Sequence, residues 1–300
     1  MSAAQAPNEP LADPGAGPTA PRRRVLVVGI DGVTLDTLTA VPTPHLDSVA
    51  EAGFLAPVTI DPGTPTMSGP CWATITTGVR IDKHAVWSND FSGNRLALFP
   101  DFASRLTCEH GASSYVAAGW QPLLTAAHGG PLFRTPGRTT FIAAPADTVE
   151  AWDATDEAIT RAAVTVLTED DPEASFVYLG AVDETGHVLG CAEPYESAIR
   201  RADERLGRLL AALRARPSYA EEEWTVIVVT DHGHRPEGGH GGRTAREETA
   251  WIAACGPGMA PGAPPERALR HEDVAPQVFA SLGRTVDSHA TVDGRAWSKA

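Results

Sequence analysis

From Arg24 to Ile30 the chain reads RVLVVGI, a continuous apolar run that stops at Asp31-Gly32. A strand covered on one face alternates apolar and polar residues, so an unbroken run predicts a parallel strand buried on both faces that delivers an acid at its end. Further strands are expected at 114–118, 175–179, 224–230 and 250–254. Thr43 as N-cap, Pro44 at the first helical position and Gly53 just past the end bracket a helix. Another starts near Ser68 and runs to Thr77, where Gly78 stops it, and others are expected at about 101–110, 149–168, 195–214 and 272–281.

Strands alternating with helices predict an α/β fold, a mixed and mostly parallel sheet sandwiched between helices. Ligands bind such sheets at the carboxyl ends of the strands. Asp31, Asp183 and Asp231 each follow an expected strand, so the pattern gathers three acids on one sheet edge.

The 300 residues fit one α/β domain, expected over 23–300, after an Ala-, Pro- and Gly-rich stretch at 1–22 that reads as a disordered tail. Lys and Arg number 24 against 38 Asp and Glu, a net charge of −14, which excludes an extended nucleic-acid surface. No apolar run approaches the roughly 18–20 residues that span a bilayer, and the run after Arg22-Arg23-Arg24 is too short for a signal peptide. The four cysteines form no CxxC pair, so reduced thiols and a cytoplasmic protein are expected.

The chemistry-bearing residues are Asp31, Ser68, Asp183 with His187 four residues on, Asp231-His232, and His240. Each has a structural alternative: Asp31 as half of an Asp-Gly turn, His187 as a loop histidine, Asp231-His232 as a turn, His240 as part of a glycine-rich loop, Ser68 as a helix cap. Their joint placement after successive strands is what favours a metal site, because independent surface residues have no reason to gather there.

The ordered set Asp31-Gly32, PTMSGPCWATITTG from Pro65, HAVWSND from His84, Asp183-x-x-x-His187, TDHG from Thr230 and His240 resembles the alkaline phosphatase superfamily, and within it the nucleotide pyrophosphatase/phosphodiesterase branch. The resemblance extends over about residues 24 to 295, including HEDVAPQVFASLG and the closing Asp293-Gly294-Arg295. It implies an alkaline phosphatase-like fold and two divalent ions, zinc or alternatively manganese. Asp31, Ser68, Asp231 and His232 would hold one ion, and Asp183, His187 and His240 the other. It further implies hydrolysis of a small-molecule phosphate ester, most of all a diester, through a phosphoseryl intermediate on Ser68. Cys71 stands where this branch often carries Asn, and a thiol is the weaker donor. Cys71, Asn89, Trp87 and Trp120 are candidate substrate contacts, with Trp72 a further aromatic candidate and His234 and Lys83-His84 weaker ones.

Phosphonate or monoester hydrolysis and sulfate ester hydrolysis are alternatives on the same fold. Ser68-Gly69-Pro70-Cys71-Trp72 matches the sulfatase pattern C/S-x-P-x-R except at its Arg, which is Trp72 here. The interval 90–175 is short for the cap of a metal-dependent mutase. No GxSxG elbow supports a Ser-His-Asp acyl hydrolase. A metal-binding scaffold without turnover is the non-enzyme alternative.

Overall fold

The computed structural model describes residues 20–286 and 292–298, so residues 1–19 of the expected tail lie outside the described residues. Its strands are β1 (Arg22–Ile30), β2 (Phe54–Thr59), β3 (Ser114–Ala118), β4 (Arg138–Phe141), β5 (Ala174–Leu179), β6 (Glu222–Val229) and β7 (Thr249–Cys255). They form one sheet in the order β2-β7-β6-β1-β5-β3-β4. β1 pairs in parallel with β5 and β6, and β3 in parallel with β4 and β5, whereas β7 runs antiparallel to both β6 and β2.

The helices are α1 (Leu35–Ala40), α2 (Pro44–Ala52), α3 (Ser68–Thr77), α4 (Ile81–His84), α5 (Phe102–His110) and α6 (Gln121–Leu124). They continue with α7 (Val149–Glu169), α8 (Ala181–Leu189), α9 (Glu193–Arg214), α10 (Ala245–Glu248) and α11 (Val274–Ser281). Val25 and Val27 of β1 face a core with residues of α3, α5 and α11, while Leu26, Val28 and Ile30 face one with residues of α2, α7 and α9. Cover on both faces explains the unbroken apolar run, and the expected mixed, mostly parallel sheet between helices is what forms.

β2 and β4 were not expected from the sequence. FLAPVT carries a proline and RTTF is polar and largely exposed, and both sit at the sheet edges, where a strand needs little apolar cover. The short helices α1, α4, α6 and α10 are also additions, and α8 is the consequential one, because it carries Asp183 and His187.

The Arg22-Arg23-Arg24 triplet opens β1. Arg24 is buried and donates from Nε to Glu222 Oε1 at 2.8 Å, and Arg216 reaches Glu222 Oε2 at 2.9 Å. Both guanidiniums also meet Asp171. Burial alone would raise the Glu222 carboxyl, but hydrogen bonds from Arg216, Ser218 and Trp224 and the charge of Arg24 bring it down to about 2. A carboxyl depressed on folding stabilises fully above its unfolded value of about 4.3, and that contribution is lost as pH falls through its folded value. Glu222→Gln should therefore cost roughly 3 kcal/mol at neutral pH, the low end for a broken buried ion pair because Asp171 still faces both arginines. The parent's loss of stability between about pH 4.3 and about pH 2 should shrink in the variant. Urea unfolding at neutral and acid pH reads both effects, and equal stability at both would show that the cluster contributes nothing.

Candidate active site

Three strand ends build the site. β1 stops at Ile30 and Asp31 follows; β6 stops at Val229 and Thr230-Asp231-His232 follows. β5 leads through Gly180 into α8, whose first turn is tied down by Asp156 of α7, its two carboxylate oxygens accepting the Gly180 and Ala181 N–H groups at 2.9 Å each. Asp183 and His187 thus lie four residues apart on one face of a helix, where Asp183 was expected directly after a strand. Tyr195 of α9 fixes the turn after β1, donating to Gly32 O at 2.5 Å and accepting from Thr34 N at 2.9 Å.

Asp31, Asp231, His232 and Ser68 converge. His232 Nε2 is 3.2 Å from Asp231 Oδ2, 3.6 Å from Asp31 Oδ1 and 3.4 Å from Ser68 Oγ. Four donors held tetrahedrally at about 2.0–2.1 Å from an ion stand about 3.3 Å apart, so this spacing fits a metal. The carboxylates fit it too. Trp72 Nε1 and Tyr178 Oη both donate to Asp31 Oδ2, at 2.9 and 2.7 Å, and Gly32 N donates to Asp231 Oδ1 at 3.1 Å. Asp31 Oδ1 and Asp231 Oδ2, both buried, accept no hydrogen bond. Buried oxygens of that kind call for a cation.

Asp183, His187 and His240 form the second group. His187 Nε2 lies 2.9 Å from His240 Nε2 and 3.4 Å from Asp183 Oδ2, and His240 Nε2 lies 3.5 Å from Asp183 Oδ1. His240 Nδ1 donates to Thr66 O at 2.7 Å, which leaves Nε2 its lone pair. His234, rated weakly from sequence, is fully buried here with Nε2 2.8 Å from Asp183 Oδ1. The available signal was a second histidine two positions after His232 in TDHGH. The two groups share a wall, because the His232 and His240 rings stack with centroids 3.8 Å apart.

Charge is unbalanced in this space. Burial, then the Asp183 charge, pushes the Asp31 carboxyl up to about 7, and burial with Asp31 and Asp183 nearby carries Asp231 well above the usual range. Burial acts the same way on Asp183, but hydrogen bonds from His187 and His234 hold it well below that range. Burial lowers His232 and His240, so both imidazoles are neutral at pH 7 with lone pairs to offer. Mixed carboxylate and imidazole donors suit zinc and admit manganese.

The substrate candidates separate. Cys71 is fully buried with Sγ 3.5 Å from Pro65 O, so it faces the core beneath α3 and offers nothing to a substrate. Trp72 is equally buried and holds Asp31 instead of lining a pocket. Trp87 is 55% exposed. Asn89 stands beside the serine, its Oδ1 accepting the Gly69 N–H at 2.8 Å. That bond takes one first-turn donor of α3 and Pro70 has none, which limits the backbone N–H groups left there for a phosphate. Trp120 packs edge-on against Phe91 and lines a cavity of about 300 Å³ with His128, Asp147 and Trp152. The cavity lies at the same sheet edge, since Gly119 and Trp120 follow directly on β3, which runs parallel to β5. His84 is buried against Thr74, and Lys83 pairs with Asp293 at 2.5 Å.

The family model for type I phosphodiesterase / nucleotide pyrophosphatase matches residues 25–253, which takes in every residue of both groups. The chain belongs to this family. The human ectonucleotide pyrophosphatase/phosphodiesterase family member 7 is 27% identical over 245 residues, 74% of this chain and 51% of that protein. The chain therefore spans about half the length of the curated relatives it matches. Among solved structures, murine ectonucleotide pyrophosphatase/phosphodiesterase 5 aligns with a TM-score of 0.66 at 18% identity, covering 89% of this chain and 97% of that one. A 2-O GAG sulfatase aligns at 0.71 and 15% identity, covering 92% of this chain and 73% of that one. Both likenesses establish the alkaline phosphatase-like fold that phosphodiesterases and sulfatases share.

Tyr178→Phe tests the hold on Asp31. It removes one of two donors to Oδ2 with little change of volume, so zinc affinity at the Asp31 group should fall about 10-fold while the Asp183 group keeps its own. Competition with a chromophoric chelator measures both, and unchanged affinity would show that Trp72 alone orients the carboxylate.

Proposed function

We propose that this chain is a two-metal phosphodiesterase in which Ser68 is the nucleophile. The observation that carries the reading is the position of Ser68 Oγ, 3.4 Å from His232 Nε2 and on the same centre as two carboxylate oxygens that accept no hydrogen bond. Asp31, Ser68, Asp231 and His232 would hold one ion, and Asp183, His187 and His240 the other. Bound there, the ions would supply positive charge to the attacking and departing oxygens of an in-line displacement. Ser68 Oγ gives up its proton as it attacks phosphorus, the P–O bond to the leaving group breaks and that oxygen leaves as the protonated alcohol, and a phosphoseryl ester that keeps the diester's other alcohol remains. Water then attacks the same phosphorus and returns Ser68 as the free hydroxyl. Asn89, its Oδ1 anchored on Gly69, turns its amide N–H₂ to a phosphate oxygen, and the Trp120 cavity receives the leaving group.

The family model supports this class of substrate. So does murine ectonucleotide pyrophosphatase/phosphodiesterase 5, solved as an inactive Thr-to-Ala variant in complex with AMP. A sulfatase reading is disfavoured by Trp72, which replaces the arginine of the sulfatase pattern and spends its N–H on Asp31. We read the chain from residue 23 as one catalytic domain. None of the described helices is long and apolar enough to cross a membrane. The free thiols of Cys71, Cys108, Cys191 and Cys255 agree with action in the cytoplasm.

Ser68→Ala should lower kcat by on the order of 10³-fold or more while fold and bound zinc largely persist. A chelator should abolish activity, and zinc or manganese at two ions per chain should restore it. Full activity in the alanine variant would remove Ser68 from the chemistry, and full activity in metal-free protein would end the two-metal reading.

A monoester carries one more charged oxygen than a diester, and that charge needs a further cation. The basic residues nearest in sequence to α3 and to His240 are committed elsewhere: Arg80 to Glu272 at 3.2 Å, Lys83 to Asp293, and Arg243 to Glu248 at 3.0 Å and to Pro62 O. With nitrophenyl esters, kcat/KM should be about 10-fold or more higher for the diester, the worth of one unmet charged contact. A clear monoester preference under the same metal loading would overturn this assignment.

A further inference from the structure

Resting on the two-ion reading above, we propose that His234 is a positioning residue for the second ion: it donates Nε2–H to Oδ1 of Asp183 and so reserves Oδ2 for the cation. Neither the family's ligand set nor the motif positions assign it a role.

The tautomer follows from the surroundings. His234 is fully buried, its Nε2 is 2.8 Å from Asp183 Oδ1, and its Nδ1 has no partner. A proton on Nδ1 would leave a buried N–H without an acceptor and turn the Nε2 lone pair against a carboxylate oxygen. A proton on Nε2 satisfies the donor and the carboxylate together. Asp183 Oδ2 is then the oxygen left, 3.4 Å from His187 Nε2, which in turn lies 2.9 Å from His240 Nε2.

The fold makes room for this ring from two sides. A Cβ at Gly32 would lie 2.5 Å from Asp183 Oδ1 and 2.7 Å from His234 Nε2, and one at Gly186 would lie 2.9 Å from the imidazole Cε1. Gly32 follows Asp31 and has a φ of +68°, while Gly186 precedes His187, so both motif segments leave space where the third histidine sits. The pattern repeats the other carboxylates of the site. Asp31 has Oδ2 held by Trp72 and Tyr178 with Oδ1 free, and Asp231 has Oδ1 held by Gly32 N with Oδ2 free. In Asp183 the clamp is a histidine.

The test is zinc binding to the purified full chain, followed by chelator competition and independent of turnover. The parent should bind two ions. His234→Ala should weaken one of them by about 10- to 100-fold and leave the other unchanged, which also shows the variant is folded. His234→Gln, with an amide N–H for the same oxygen, should recover most of the loss. Should the alanine variant not fold, His234→Leu occupies a similar volume without a donor and carries the same expectation. With cobalt in both sites, the absorption band of the Gln variant should match the parent, because a positioning residue leaves the ligand set intact. Parental affinity for both ions in the donor-free variant overturns the inference, as does a cobalt spectrum of the Gln variant that has lost a nitrogen ligand. Fewer than two ions in the parent overturns the two-ion reading and this inference with it, so the two failures are distinguishable.

Discussion

Three carboxylates meet at one sheet edge, Asp31 and Asp231 fully buried after adjacent strands and Asp183 partly buried in the first turn of α8, beside the imidazoles of His232, His234 and His240, whose side chains are all but buried. Uncompensated, that arrangement is unstable: each acid is dehydrated and each repels the next, which is why Asp31 and Asp231 rise out of the usual range. Burial this deep is possible because β1, β5 and β6 are covered on both faces, so their carboxyl ends open into a dry, packed edge. The same dryness gives a bound cation its grip, since fixed charges attract far more strongly away from water. Fold and site are therefore one requirement seen at two scales.

Much of this was legible because it is periodic. The run ending at Asp31, the spacing of Asp183 and His187 and the TDHG segment each carry a regular signal, and their shared sheet edge follows from the alternation of strands and helices. What stayed hidden depends on direction. Nothing in SGPCWATITT says that Ser68 faces the site while Cys71 and Trp72 turn into the core, because α3 is buried along its whole length and has no polar face to orient it. α8 went unseen because it begins only two residues after β5, with no capping side chain to announce it. His234 follows an apolar run in which a polar residue usually marks a turn, and its burial became visible only with the glycines that accommodate it.

α3 connects the core to the chemistry. Its first residue carries the hydroxyl at the site, and four residues later Trp72 spends its N–H on Asp31 while its ring packs edge-on against Phe176 and Tyr178. Tyr178 shares the same carboxylate oxygen, so one aromatic cluster fills the core beneath β1 and β5 and sets the direction of a metal ligand. Replacing either ring changes packing and ligand geometry together. The position that carries arginine in the sulfatase pattern is therefore used here to orient an acid.

The two metal groups are not independent, because His232 and His240 stack at 3.8 Å and form the wall between them. Each ring fixes the other's plane, and each is tied by its remaining nitrogen to a backbone carbonyl, Gly233 O at 3.2 Å and Thr66 O at 2.7 Å. Thr66 lies two residues before Ser68, so the loop that carries the proposed nucleophile also fixes the His240 ring of the second group. A shift of that loop would move Ser68 Oγ and the His240 ring together, and so couple the proposed nucleophile to the second group. The in-line displacement proposed above would draw on that coupling, because both ends of such a reaction axis must be held at once.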